Sequence, residues 1–287
     1  MLKTTGLTGS VMEKGIKIKK VLSAILILCG VALCMFPLVS NLIERQYQSE
    51  AVATYTEKVE SFSKEKMQDY VDEAEHYNRI LYQTGGIQLN ESDDDILSQE
   101  SYIRLLNASD TGVMGSIDIP KINVNLPIYH GVSDEVLSRG TGHLEGSSLP
   151  VGGCNTRVIL TGHRGLPGAK LFTRLDEMEK GDLFFIHVMG KILAYQVSEI
   201  EVIQPDETDS LAIVSGKDMV SLITCTPYGI NTKRLVVTGE RIAYVPEEHD
   251  GIENKRMSLR EVIFAVIPFA LLMIITLYRK NKKKTEV

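Results

Sequence analysis

The 287-residue chain has no tryptophan, only 6% aromatic residues and only four cysteines. So few rings argue against a base-stacking surface for nucleic acid or a tryptophan-lined carbohydrate groove. No Cys or His pair has the spacing of a zinc site and no acidic loop has calcium-loop spacing, so neither a metal nor another cofactor is assigned. Four cysteines make no disulfide framework; Cys29 and Cys34 fall in an apolar run, which leaves a single Cys154 to Cys225 bridge open as an alternative to two free thiols. At 44% hydrophobic and 24% charged residues the chain is too apolar to be wholly disordered.

Charge is distributed unevenly along the chain. Residues 1–20 carry five Lys against Glu13, and residues 279–287 carry five Lys or Arg against Glu286. Each end is thus net +4, and the overall −6 leaves −14 for the residues between. Nucleic acid requires a positive stripe on the folded body itself, so nucleic acid is excluded as a partner. Basic ends flanking an acidic body fit a membrane protein.

Val21 to Ile43 contains no charged residue and is long enough, at about 1.5 Å per residue, to cross a hydrocarbon core of about 30 Å. It reads as a transmembrane helix over 21–43; a cleaved signal peptide, with Lys14, Lys17, Lys19 and Lys20 as its basic region, is the competing reading. A second run, Val262 to Tyr278, has 17 residues with Pro268 inside, and Arg279, Lys280, Lys282, Lys283 and Lys284 follow it. It reads as a second span over 262–278, against the alternative of a buried C-terminal helix. Basic flanks mark the cytoplasmic side, so residues 1–20 and 279–287 are expected in the cytoplasm and the body between the two spans outside it.

Residues 44–83 lack Gly and Pro and repeat apolar residues at helical intervals, which predicts helix, in two pieces with a bend. Gly85 and Gly86 stop it. Residues 86–100 are acidic and weakly hydrophobic, and Tyr102–Leu106 suggests a short helix that closes this 44–111 region. From Val113 the pattern changes to short runs rich in Val, Ile, Leu and Thr: GVMGSIDIP, INVNLPIYH, TRVILTGH, DLFFIHVMGKILAYQVSEIEVIQP with a hairpin at Gly190, DMVSLITCTP and KRLVVTGERIAYV. LFTRLDEM and TDSLAIV are the only short helices expected between strands. Six to eight strands with such short connections predict a mainly β fold, a closed or nearly closed barrel over 112–248, with a linker over 249–261.

Three residues stand where strands are expected to end. Cys225 closes MVSLITC, His163 follows VILTG, and Arg234 opens RLVVTGE. TPYGINTK between Cys225 and Arg234 contains Pro227, Gly229 and Asn231, so one reversing loop can set the thiol and the guanidinium on the same rim. Acyl transfer needs a thiolate nucleophile, an imidazole to manage the proton and a fixed donor for the oxyanion, and these three side chains can supply them. A buried small thiol, a surface histidine and a solvated arginine are the bland alternatives for the same letters.

The strings LITC, CTPYGINTKRLVVTGER and TGHRG, together with GSIDIPKINVNLPIYHG, GTGHLEGSSLPVGG and TGHRGLPGAKLFTRLDEMEKGD, resemble the sortases, cysteine transpeptidases of Gram-positive cell envelopes, across roughly residues 112 to 245. The resemblance implies an eight-stranded sortase-type β-barrel with short helices, preceded by the helical N-terminal segment and flanked by the two transmembrane helices. It implies Cys225 as nucleophile, His163 as proton handler and Arg234 as the group steadying the carbonyl and its oxyanion. IPKINVNLPIYHG, TGHRGLPGAKLFTRLD and the two apolar runs are similar to the class C, pilus-assembling members. The implied partners are the sorting signals of pilins or surface proteins, an accepting pilin Lys or cell-wall amine, and the lipid bilayer.

Class C enzymes resemble one another in a lid that sets an Asp near the catalytic Arg and an aromatic residue, after a Pro, over the Cys. Residues 86–100 depart from this pattern: they offer Asp93, Asp94, Asp95 and Ile96 but no Asp-Pro-aromatic tripeptide. One aspartate pairing with Arg234 while Ile96 covers Cys225 is one reading, and a solvated acidic loop is the other. Thr224 is a candidate for shaping the strand end and His143 for lining the cleft, with a structural role for His143 as its alternative. A housekeeping-type sortase that uses a cell-wall amine, and a non-catalytic membrane-tethered assembly factor, are the rival functions.

Overall fold

The computed structural model describes residues 6–85, 95–166 and 168–252, together with 266, 269–270, 272–274 and 276. The chain divides into two compact units, one formed by 1–40 and 257–287 and the other by 41–256. Helix α1 (Gly6–Glu60) starts in the first, where it carries most of the apolar run, with Leu26, Leu28 and Leu33 exposed. Its stretch from Val21 is long and apolar enough to span a bilayer, and none of the apolar window is buried in the protein. The 262–278 run falls largely outside the described residues.

The second unit begins with the last turns of α1. A break at 61–63 separates them from α2 (Lys64–Gln83), where the Ser63 hydroxyl accepts the Lys66 amide at 3.2 Å as an N-cap. This is the bend expected within 44–83. Val71, Ala74, Tyr77, Asn78 and Leu81 form the buried stripe of α2, spaced three and four apart as a helix requires. Two buried polar side chains tie these helices to the barrel. The Tyr55 hydroxyl donates to the Met114 carbonyl at 2.9 Å and accepts from the Met189 amide at 3.1 Å, while the Asn78 amide exchanges two hydrogen bonds with the Leu149 backbone. A 3-10 turn (Asp95–Leu97) and α3 (Gln99–Arg104) then lead to the barrel.

The barrel consists of β1 (Val113–Ile119), β2 (Val124–His130), β3 (Thr141–His143), β4 (Thr156–Thr161), β5 (Leu183–Val188), β6 (Lys191–Ile203), β7 (Asp218–Thr226) and β8 (Lys233–Ile242). It closes in the order β1-β2-β3-β4-β7-β8-β6-β5. The β5–β6 hairpin turns through Met189 and Gly190, both at positive φ, as the sequence around Gly190 suggested. Closure leaves no open sheet edge.

Two small elements differ from the sequence expectation. A helix α4 (Asp134–Arg139), capped by Ser133, lies between β2 and β3, and β3 itself is only three residues long. A three-residue strand has no period of its own to read and exists through its partners β2 and β4. LFTRLDEM and TDSLAIV form only 3-10 turns, Leu175–Glu177 and Asp209–Leu211. A last short helix α5 (Pro246–Asp250) follows β8.

The wall made by β4, β7 and β8 is buried on both faces. Val158, Leu160, Val220, Leu222, Leu235 and Val237 point into the main core, while Ile159, Ile223 and Val236 join Ile203 and Leu211 in a second, smaller cluster. That two-sided burial explains why VILT, SLIT and LVVT read as continuous apolar runs rather than alternating ones. Each fully buried aliphatic side chain contributes roughly 1.5–3 kcal/mol, so this wall is a rigid base for whatever its strand ends carry.

Candidate active site

Strand direction assembles the site. β4 and β7 are parallel neighbours, so both finish at the same end of the barrel, and β8, antiparallel to β7, starts there. Cys225 on β7 and Arg234 on β8 are direct cross-strand partners, and Ile203 on β6 pairs with Arg234. The β4–β7 register ends with Thr161 opposite Ile223, and the Gly162 amide then donates to the Ile223 carbonyl at 3.0 Å. The same pairing carried two residues further brings His163 level with Cys225. Residues opposite one another on paired strands share a face, so Cys225 and Arg234 lie on the face of Ile223 and Val236, outside the main core.

All three residues are half-buried. Between Cys225 and Arg234 the chain reverses through the residues anticipated for a turn: the Asn231 amide donates to the Pro227 carbonyl at 2.9 Å, with Gly229 and Asn231 at positive φ. Arg234 donates through Nη1 to the backbone carbonyls of Asn231 and Lys233, at 3.4 and 3.2 Å. Among the described residues it meets no carboxylate, only these backbone carbonyls. Cys154 and Cys225 are both free thiols, which settles the bridge left open by the sequence.

Two neighbours hold the His163 side of the site. Thr224 is buried and donates through its hydroxyl to the Gly162 carbonyl at 2.7 Å, locking the end of β4 to β7 one residue from Cys225. Gly162 lies so close to Phe172 that a Cβ there would sit 2.7 Å from the ring, and the Phe172 amide donates to the His163 carbonyl at 3.1 Å. The glycine of TGH is therefore needed for contact with an aromatic ring, not for a special φ.

His143 does not line the cleft. It is fully buried on β3, with its Nε2 2.8 Å from the Ser148 carbonyl and its Nδ1 3.0 Å from the Tyr102 hydroxyl. Burial pulls its pKa down to about 4, the Ser148 carbonyl working weakly against that, so it is a neutral structural imidazole. A fully buried side chain cannot face a substrate, which is the physical reason for this correction. Ile96 is half-buried and packs, with Leu97, against the main core; Asp95 opens the 3-10 turn, and Asp93 and Asp94 lie outside the described residues.

Of the three buried arginines among the described residues, Arg157, Arg164 and Arg174, none was singled out in the sequence, and the first two lie on or just after β4. Arg157 on β4 donates to the Ser221 and Thr238 hydroxyls and to the Ala212 carbonyl of the β6–β7 loop, at 3.0, 3.2 and 3.1 Å. Arg164 directly follows His163 and pairs with Asp176. The only sequence signal for either was a charge set in or beside an apolar strand. Among the described residues no group of three His, Cys, Asp or Glu is placed to hold a metal ion.

A thiol, an imidazole and a guanidinium at one end of a closed eight-stranded barrel define a protein of the cysteine-transpeptidase type. The sortase domain model matches residues 117–242. Sortase C1 from Streptococcus agalactiae superposes with a TM-score of 0.65 at 41% identity, covering 68% of this chain and 100% of that one. Sortase C from Clostridium perfringens, solved with its C-terminal cell wall sorting motif, gives a TM-score of 0.59 at 42% identity, again over 68% and 100% of the two chains. In sequence, sortase D of Bacillus subtilis is 31% identical over 131 residues, which are 45% of this chain and 63% of that protein; a sortase A of Streptococcus agalactiae is also 31% identical, over 52% of its length. The chain belongs to the sortase family, and these two solved structures are class C members.

Proposed function

We propose that this protein is a membrane-anchored, class C-type sortase that polymerises pilins. Cys225 attacks the Thr carbonyl of a Leu-Pro-X-Thr-Gly-like sorting signal. The Thr–Gly amide bond breaks, a thioester forms at Sγ, and the Gly-side amine leaves with a proton from His163. Arg234 steadies the oxyanion of each tetrahedral intermediate. A Lys amine of a second pilin then attacks the thioester, Cys225 leaves as the thiol form and an isopeptide bond remains.

The observation that supports this reading is the shared end of parallel β4 and β7 with antiparallel β8, where Cys225 and Arg234 are cross-strand partners and His163 follows two residues after the end of β4. The Arg234 guanidinium, which among the described residues meets only backbone carbonyls, supports its role, since a cation already paired with a carboxylate has less to offer a developing oxyanion. The likeness to class C structures, one of them holding a sorting motif, supports the pilin substrate class.

Both termini are assigned to the cytoplasm and the barrel to the outer face, with spans at 21–43 and 262–278. The apolar helix from Val21 and the Lys-rich flanks support this topology. Anchoring on the face that carries membrane-tethered substrates raises their effective concentration. Residues 86–100 are assigned to a lid over the site, a reading supported by relatives of the same fold whose lids have been altered by mutation, among them sortase A of Corynebacterium diphtheriae at 36% identity.

The test is co-expression of the full chain with two pilin subunits, one carrying the sorting signal and one an accepting Lys, followed by denaturing electrophoresis. A ladder that survives boiling and vanishes with Cys225→Ala is expected. Attachment to cell-wall fragments without a ladder identifies the housekeeping-type reaction, and a ladder that persists with Cys225→Ala identifies a non-catalytic assembly factor.

A further inference from the structure

We infer that Arg164 is a positioning residue of the acyl-transfer site: its buried guanidinium fixes the end of the nucleophile strand against the loop that carries His163. This inference rests on the transpeptidase reading above and adds to it a residue that touches neither substrate nor reacting atoms.

Arg164 occupies the position after His163, at the start of the β4–β5 loop, and its side chain is only 4% exposed. Arginine is almost never buried so deeply unless it is paired. Its Nη2 meets the Asp176 carboxylate at 2.5 Å, in the 3-10 turn near the far end of the same loop. Its Nη1 donates to the Thr226 hydroxyl at 3.1 Å. Thr226 follows Cys225 and is the last residue of β7. The guanidinium also stands 5.9 Å from the centre of the Tyr228 ring in the β7–β8 loop, and the ring approaches closely because Gly165, at φ +81°, has no Cβ to oppose it.

One planar group therefore joins both ends of the β4–β5 loop, the end of β7 and the β7–β8 loop. The loop is also closed on itself, since the Phe172 amide donates to the His163 carbonyl and the Gly165 amide to the Thr173 hydroxyl at 3.2 Å. These bonds link the described parts of the loop to Arg164, and the Thr226 bond links Arg164 to the residue after Cys225. A lysine can satisfy Asp176 as a point charge but lacks the fork that reaches Thr226 at the same time.

Arg164 is paired with Asp176, whereas Arg234 meets only backbone carbonyls among the described residues, so the two arginines divide the work. Arg234 faces developing charge and Arg164 holds geometry. The Arg164 Nε is buried without a hydrogen-bond partner among the described residues. Leaving a donor unpaired is costly, which marks the position as one where placement outweighs full satisfaction.

The test uses the full chain in detergent micelles, with a Leu-Pro-X-Thr-Gly-type peptide and the variants Arg164→Gln, Arg164→Lys and Thr226→Val. Misplacement by about 1 Å costs on the order of 100-fold in rate, so Arg164→Gln is expected to lower kcat by about that factor with KM within about twofold. Lysine is expected to restore only a minor part. Thr226→Val, which removes only the contact, is expected to lower kcat by about tenfold and to add nothing on top of Arg164→Gln, as groups acting through one contact do.

A readout that needs no substrate accompanies these, the pH profile of Cys225 alkylation by iodoacetamide, expected to be displaced in both Arg164→Gln and Thr226→Val. A Thr226→Val protein whose kcat and alkylation profile match the wild type, whatever its melting temperature, overturns the inference and leaves Arg164 a purely structural residue. A wild-type protein that forms no acyl adduct overturns the transpeptidase reading instead. In that case a displaced alkylation profile still supports the positioning role and a superimposed one refutes it.

Discussion

The Thr224 hydroxyl donates to the Gly162 carbonyl across the β7–β4 seam at 2.7 Å, one residue before Cys225 and one before His163. The bond is buried and carries the parallel pairing beyond the last ladder residue of β4. It ties the residue before His163 to the residue before Cys225, a constraint of the barrel to which the Arg164 contacts add that of the loop.

Replacing Thr224 with Val keeps the shape and leaves the Gly162 carbonyl short of a donor. An unsatisfied buried polar group costs about 1–3 kcal/mol, so stability from urea unfolding is expected to fall by about that amount. Peptide turnover is expected to fall as well, because the Gly162 carbonyl, one residue before His163, loses its tether. A variant as stable and as active as the wild type removes Thr224 from the positioning scheme.

Gly162→Ala tests the opposite fault, too much volume. The added methyl meets the Phe172 ring at 2.7 Å, and overpacking of this kind costs about 1–3 kcal/mol. Adding Phe172→Leu makes room, so the double variant is expected to recover part of the stability lost by Gly162→Ala. Failure of the second change to relieve the first places the constraint elsewhere in the loop.

His143 gives the barrel an acid-sensitive joint between β3 and Tyr102 of α3. Its folded pKa, about 4, lies below the unfolded value of about 6.5. The unfolded state therefore binds more protons between these values: the contribution is fully present above pH 6.5 and is lost as the pH falls toward 4. Between pH 7 and pH 5 this one group is expected to cost about 2 kcal/mol. His130, also lowered chiefly by burial, pulls in the same direction. Urea unfolding at the two pH values, compared with His143→Gln, isolates the His143 share; an equal acid loss in the variant assigns it to other groups.

Much of this molecule was legible because its physics is local. The α1–α2 break follows from a helical period interrupted at Ser61–Ser63, the Gly190 hairpin from positive-φ chemistry, and the β4, β7 and β8 runs from two-sided burial. The positions of Cys225, His163 and Arg234 at strand ends could be read as well, since Gly162 and the Pro227–Asn231 turn punctuate those ends. Three-residue β3 and six-residue α4 could not, being shorter than the period that would announce them. The partners of His143 and of Arg164 were also hidden, although a structural role for His143 is among the readings of the sequence. Whether a polar side chain is buried, and which distant Tyr102, Ser148, Asp176 or Thr226 meets it, is decided by strand order and not by neighbours in sequence.

The lid assignment has its own test. Tyr102 on α3 is buried, accepts the Gly131 amide at 2.9 Å and lies 3.0 Å from His143, so the segment is anchored behind residue 98. Changing Asp93, Asp94 and Asp95 together to Ala is expected to speed thiol labelling of Cys225. An unchanged labelling rate makes 86–100 a solvated acidic loop.

The most direct measurement is intact-mass spectrometry of the full chain after incubation with a sorting-signal peptide, alongside Cys225→Ala. The expected result is an adduct equal to the peptide up to its Thr, absent in the variant and released by hydroxylamine as a thioester is. A folded wild-type protein with a free Cys225 thiol that forms no such adduct with any of a panel of sorting-signal peptides contradicts the acyl-enzyme mechanism.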